Sequence, residues 1–247
     1  MNRTIFRITG SDRETFLQNL VTNDVGKARD GLVWTALLTP QGKYLADFFL
    51  LAEPDALLLD VASALAPGLA QRLTMYRLRA DVQIEKTDIT VARGLGEAPE
   101  GAFADPRHPS LGWRAYDART GEEADWDAIR VAAGVPESGI ELVPNESYPL
   151  EVRFEALNGV DFKKGCYVGQ EVTARMKHKT ELRKGLARVR VDGTTEPGTP
   201  ILTADGKEAG TLYSQADGAG LAYLRFDRAK GALTAGGARV TFERPLS

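Results

Sequence analysis

Cys166 is the only cysteine in 247 residues, and the residue types around it are those that make a thiol reactive. It lies in the run Lys163-Lys164-Gly165-Cys166-Tyr167-Val168-Gly169-Gln170-Glu171. From Gln170 the composition turns helical: Val172 and Met176 fall one turn apart, Glu171 sits in the first turn, and Arg175, Lys177 and Lys179 lie toward the last. A cysteine just ahead of a helix N-terminus and beside cations is stabilised as a thiolate, the form that attacks electrophiles and ligates metals. Lone cysteines are more often small buried hydrophobes. Here the flanking lysines, with Gly165 and Gly169 freeing the backbone, argue against an apolar pocket.

The donor count limits what such a thiolate can hold. Iron–sulfur clusters and structural zinc sites usually take four Cys or His ligands. This chain offers Cys166, His108 and His178. A cluster held by the chain alone is not expected, whereas one shared with a second protein or a small thiol is compatible with the count. Between Lys163 and Lys184 there are seven Lys or Arg and two Glu, either a solvated face or a surface for an acidic partner or polyanion.

The run F-K-K-G-C-Y-V-G-Q-E-V-T-A-R, Phe162 to Arg175, resembles the signature of the YgfZ-type iron–sulfur cluster assembly proteins. These are relatives of the glycine-cleavage aminomethyltransferase (T-protein). The likeness continues through Thr9-Gly10, Phe16-Leu17-Gln18, Val21-Thr-Asn-Asp-Val25, Pro40-Gln-Gly42 and Tyr76-Arg-Leu-Arg79. Asp105-Pro-Arg-His-Pro-Ser-Leu-Gly-Trp-Arg114 is similar to a segment of the mitochondrial-type branch. The resemblance implies an α+β fold, with antiparallel T-protein-like layers around a folate-sized central cavity and a small C-terminal β-barrel. It implies an assembly or repair factor for 4Fe–4S proteins rather than a turnover enzyme. Its partners would be an A-type iron–sulfur carrier and the client enzymes, and a transient cluster would be shared through Cys166.

The same resemblance places a weak tetrahydrofolate pocket around Trp126 and Arg130, and assigns binding roles to Lys164, Tyr167, Gln170, Glu171 and Arg175. In T-proteins a helix ending R-x-E-A-G supplies the glutamate that grips the pterin. The matching run here is Arg130-Val-Ala-Ala-Gly134, with Ala132 in the acid's place. Asp47 aligns with an acid near the folate nitrogens, and makes a general base in the alternative reading, a folate-dependent aminomethyl transferase. A lone acid in a strand is more often simply solvated. A third reading, binding of transfer RNA, rests on the fold alone, and no aromatic-plus-basic platform for single strands supports it.

The elements that must position these residues follow from local pattern. Strands are expected at Thr4–Ile8, Leu32–Leu38, Tyr44–Leu51, Ala56–Val61, Val82–Ile84 and Ile89–Ala92. Ser11 and Glu14 form a capping box for a first helix, and Ser63 is placed to cap a second reaching Tyr76. Residues 94–112 read as a long connection. A helix is expected from Glu122 to Ala133, closed by Gly134, with Trp126, Ile129 and Ala133 on one face toward the core.

After Leu182 five short strands are expected, Leu186–Val191, Thr199–Leu202, Ala209–Ser214, Leu221–Phe226 and Ala238–Glu243, with Asp-Gly and Gly-Gly turns between them. Domains are therefore expected at 1–182 and 183–247. At 43% hydrophobic residues and a net charge of −3, the chain can bury a core and has no global attraction to nucleic acid or anionic membrane. No apolar run nears bilayer length, and the N-terminus resembles neither signal nor transit peptide. One unpaired cysteine suits a reducing compartment, taken here as the cytoplasm, and a monomer is expected.

Overall fold

The computed structural model describes residues 2–178, 182–242 and 245–246. Its first sheet is antiparallel, built from β1 (Arg3–Thr9), β2 (Val33–Leu38), β3 (Tyr44–Glu53), β4 (Ala56–Ala62) and β5 (Gln83–Lys86) in the order β2-β3-β4-β1-β5. Strands β2 and β4 are buried at every position, so they read as near-continuous apolar runs rather than alternating ones. One face packs Phe6, Ile8, Phe48, Leu57 and Leu59 against helix α1 (Arg13–Gln18) and the inner side of helix α2 (Ala66–Arg77). The other face carries Ile5, Trp34, Phe49 and Leu58 under Val152, Phe154 and Leu157. Trp34 stacks on Phe154 at 4.2 Å between centroids.

A second, three-stranded sheet forms from β6 (Ala92–Gly94), β7 (Phe103–Ala104) and β8 (Trp113–Ala115), in the order β6-β8-β7. Helices α3 (Trp126–Ala133) and α4 (Gln170–Lys177) follow. The chain then closes a six-stranded antiparallel barrel from β9 (Lys184–Asp192), β10 (Thr199–Thr203), β11 (Glu208–Ala216), β12 (Ala219–Arg225), β13 (Leu233–Ala235) and β14 (Ala238–Thr241). Leu186 and Leu221 of the barrel pack on Val131 of α3. No helix among the described residues is long and apolar enough to cross a membrane.

Several local expectations give way to tertiary competition. Ser11 does not cap α1: its N–H and hydroxyl both donate to Asp81. Ser63 bonds the Thr4 hydroxyl across the sheet, and α2 begins at Ala66 without a side-chain cap. The third helix starts at Trp126, capped by Asp125 accepting from the Ala128 N–H, because Glu122 is drawn away to the Arg93 carbonyl and the Leu95 N–H. Residues 94–112 are not merely a connection, since they contain β7 and a 3-10 turn at Pro109–Leu111. The barrel has one strand more than the five expected: Leu233–Ala235 pairs with both β10 and β14 and closes it. Lys179 and Glu243, placed from sequence in the last helix and last strand, lie outside the described residues.

Gly134 does end α3, in the left-handed region at φ 66°. The barrel turns at Asp217-Gly218 and Gly236-Gly237 have positive φ at both residues, the geometry that suits tight hairpins.

Candidate functional site

The Cys166 loop is held by three separate stretches of chain. Helix α4 starts at Gly169, whose φ of 84° is strained for any other residue, and it sits directly on the β2–β3 hairpin. A Cβ on Gly169 would lie 2.6 Å from the Thr39 carbonyl, and one on Gly42 would lie 2.8 Å from Val172. Two glycines that look unrelated in sequence are therefore one contact. Lys164 is anchored from the other side, its Nζ donating to the carbonyls of Gln18 at 2.5 Å and Val21 at 2.6 Å. The Thr22 carbonyl accepts from Asp161 N–H, and Lys27 pairs with the Asp161 carboxylate at 2.7 Å.

Between these anchors Cys166 is exposed. Its neighbour Gly165 has φ 92° and open space where a Cβ would point. Tyr167 turns inward, 7% exposed, with Lys164 Nζ 4.8 Å from its ring centre. Burial lowers the Lys164 ammonium to a pKa of about 8, while Asp24, Asp161 and Cys166 work the other way. The ammonium thus lies within electrostatic reach of the thiol.

The remaining expected binding residues are mostly engaged. Gln170 donates to the Gly165 carbonyl at 3.0 Å and braces the loop. Glu171 and Arg175 pair with each other at 2.6 Å on the exposed face of α4. An i,i+4 pair of this kind contributes about 0.3–0.5 kcal/mol. His108 accepts from the Ser110 N–H at the start of a 3-10 turn, and among the described residues no three His, Cys, Asp or Glu converge in a metal-binding group.

Trp126 and Arg130 are not part of this loop. They border a cavity of about 350 Å³ with Arg93, Arg107, Asp127 and Glu137. Trp126 is half-buried rather than core, and the Arg93 guanidinium lies 4.0 Å over its ring. Burial, with Arg114 and Arg107 nearby, lowers Arg93 to a pKa of about 10. Arg130 is not free to hold a ligand: it pairs with Asp127 at 2.7 Å and Glu141 at 3.0 Å and donates to Ser214 of the barrel. It is a strut between α3 and the barrel. Ala132 is exposed, and its carbonyl accepts from Arg188 at 2.6 Å.

Asp47, read from sequence as a solvated acid or a general base, is neither exposed nor free. It is 2% exposed and accepts from Trp34 Nε1 at 2.9 Å, Tyr44 OH at 2.7 Å and Ser138 Oγ at 2.5 Å. Burial and the Asp47 charge together push the Tyr44 phenol well above its usual range, so it stays a donor.

On the same sheet face lies an ion network that the sequence reading missed. Asp60 pairs with Arg3 at 2.6 Å and Arg114 at 3.4 Å, and Asp105 pairs with Arg107 at 2.8 Å and Arg114 at 3.1 Å. Burial opposes the Asp105 charge, but Arg107 and Arg114 outweigh it and hold the carboxyl well below its usual range. Arg107 and Arg114 lie 4.9 and 4.1 Å from the Phe49 ring centre. The signal available in sequence was the spacing of one acid and two arginines in Asp105-Pro-Arg107 and Arg114.

Comparison with known proteins agrees with this architecture. The family described as CAF17, C-terminal beta-barrel domain, matches residues 183–246. The human mitochondrial iron–sulfur cluster assembly factor IBA57 is 33% identical, over 94% of this chain and 78% of that protein. The Mycosarcoma maydis homologue is 30% identical, over 93% of this chain and 73% of that protein. The aminomethyltransferase T of the Bartonella henselae glycine cleavage system shares the fold, with a TM-score of 0.73 at 12% identity, over 96% of this chain and 81% of that one.

The cytoplasmic placement is corrected by these relatives, whose names point to mitochondria instead. A lone thiol reports a reducing environment and does not say which compartment provides it. The thiol motif on its glycine-built hairpin seat, the T-protein-like body, the closed barrel and the identity over nearly the whole chain together show that this chain belongs to the IBA57 family of iron–sulfur cluster assembly factors.

Proposed function

We propose that this assembly factor contributes Cys166 as a single thiolate ligand to a cluster shared with a second protein. On this reading the partner is an A-type carrier, and the cluster passes onward to 4Fe–4S client enzymes. The observation that carries the reading is the exposed thiol beside Gly165 and Lys164, in a chain whose described residues hold no group of three His, Cys, Asp or Glu able to bind a metal by themselves. The cluster is cargo. Cys166 forms one iron–sulfur bond as one carrier thiolate leaves, so ligand number and charge balance.

Anaerobic mixing with an A-type carrier, iron and sulfide, followed by visible absorption, tests this. The expected product is a coloured one-to-one complex that Cys166→Ser fails to form. The chain alone should stay colourless. A cluster on this chain by itself, or undiminished colour with the serine variant, overturns the reading.

Tetrahydrofolate is proposed only as a weak ligand. The residues beside Trp126 do not fit a pterin as they stand, because Arg93 covers the ring and Ala132 is turned outward without a carboxylate. No chemical step is assigned to it. The aminomethyl-transferase alternative needs Asp47 as a base, and a carboxylate with three donors and 2% exposure cannot reach a substrate.

A further inference from the structure

Three of the six large hydrophobic side chains exposed among the described residues fall within four consecutive positions at the end of α2: Met75, Tyr76 and Leu78. Leu78 is 87% exposed and Met75 68%, so neither contributes much to the core. Leu78 also has φ 46° and ψ −106°, a backbone conformation that suits glycine and is strained for leucine. A leucine that buries almost nothing and carries backbone strain is not placed there for stability.

Around this knob, residues 61–80 contain Arg72, Arg77 and Arg79 and no Asp or Glu, in a chain whose net charge is −3; Asp81 follows directly, and its carboxylate is taken up by Ser11 and Gln83. All three arginines are exposed. Arg77 additionally donates to the Val82 carbonyl at 3.2 Å and fixes the turn. The knob is also continuous with the thiol site through α1. Tyr76 borders a groove with Asp12, Thr15, Phe16, Asn19 and Leu20, along and just beyond α1, while the Gln18 carbonyl at the end of that helix holds Lys164.

We propose that the end of α2, with Met75, Tyr76 and Leu78 inside a rim of Arg72 and Arg79, is a docking surface for an acidic protein partner. The partner would present an apolar socket edged by carboxylates. This rests on the shared-cluster reading, and it names where the cluster-bearing protein is held while Cys166 engages the cargo. A membrane-binding helix lays a whole apolar face on lipid. Here Ala66, Leu69 and Leu73 face inward and only the final turn is apolar outward, which favours a protein socket over a bilayer. Electrostatic complementarity of this kind sets association rate and weakens with salt.

Calorimetry of the 247-residue chain with a cluster-free A-type carrier tests the surface separately from the cluster. Met75→Ser with Leu78→Ser should weaken binding about tenfold or more. Arg72→Glu with Arg79→Glu should weaken it and flatten its salt dependence. Leu78→Gly should raise the melting temperature by relieving strain and still lose affinity. A fall in melting temperature would show that Leu78 serves folding and would overturn the proposal.

Cys166→Ser should dock the cluster-free carrier normally while forming no colour. If instead the surface variants dock like the parent and only Cys166→Ser loses colour, the docking surface is refuted and the shared cluster stands. If patch-dependent docking persists but colour survives Cys166→Ser, the reverse holds. No docking of the cluster-free carrier by the parent chain refutes the docking surface, and the shared cluster then stands or falls on the coloured complex. Binding of phosphatidylserine vesicles or of transfer RNA that the surface variants abolish, with carrier docking unchanged, also refutes it.

Discussion

The two sides of the first sheet's neighbourhood treat polar groups in opposite ways. Beneath the sheet, Arg3, Asp60, Arg114, Asp105 and Arg107 are buried in one ion-paired network. At the hairpin end, the Cys166 loop keeps its one chemically reactive side chain exposed, and its bonds go to backbone carbonyls that shape the loop. Buried charge is tolerated only when paired, and each carboxylate of the network has two arginine partners. The thiol is exposed and, among the described residues, has no such set of ion pairs. The space below Trp34 and Phe49 is packed with side chains, while the Cys166 thiol lies exposed outside that packing.

The largest expected effect breaks the closed side. Asp105→Asn leaves Arg107 and Arg114 without their shared carboxylate and should cost about 3–5 kcal/mol, measured by urea unfolding. The pH dependence has a definite sign. Because folding holds the Asp105 carboxyl below its ordinary value of 3.8, its contribution is present above that value and is lost as pH falls below it. The parent chain should therefore lose stability in acid, and the asparagine variant should show less of that loss.

Gly169→Ala attacks the open side through its support. A Cβ there meets the Thr39 carbonyl at 2.6 Å on a backbone of φ 84°. The expected cost is about 1–3 kcal/mol, with the coloured complex with the carrier lost as the loop shifts. Retained stability and retained colour would show that the hairpin seat does not position the thiol.

Asp47→Asn should cost about 1–3 kcal/mol, because the amide nitrogen meets donors where the carboxylate accepted them. Cluster delivery in cells should persist at temperatures where the variant remains folded. Abolished delivery by a folded Asp47→Asn protein would favour the transferase alternative.

The smallest effect concerns Lys164. Its ammonium has a pKa of about 8 in the folded chain against an ordinary value of 10.5. Between those values the unfolded chain binds more protons at this site, so stability rises with pH relative to Lys164→Met. Parallel denaturant titrations from pH 7 to 10.5 should show the parent gaining on the variant. A constant difference would mean that burial does not perturb this lysine.

What was legible in sequence was short-range. Gly134 after a helix, Asp217-Gly218 between strands and the Gly165-Cys166 step each reflect steric preferences that act over a few residues. Those signals, with spaced short strands, were enough to expect a barrel after Leu182 and a presented thiol. Where a local signal competed with a distant partner it lost: Ser11 gave its hydrogen bonds to Asp81, and Ser63 gave its hydroxyl to Thr4. Strand Leu233–Ala235 escaped notice because three residues carry little periodicity, and its place is set by pairing with β10 and β14.

The roles of the charged residues were decided by tertiary structure alone. Asp60 and Arg114 are 54 positions apart, and Asp47 and Ser138 are 91 apart. No local pattern says whether such an acid faces water or a buried donor, because burial depends on which layers close over it. The sequence by itself determined the thiol, the turns and the strand-rich C-terminal part, since each depends on neighbouring residues. Packing decided that Asp47 and Arg130 are braces and that Cys166 stays open, since desolvation and pairing act only once distant segments meet.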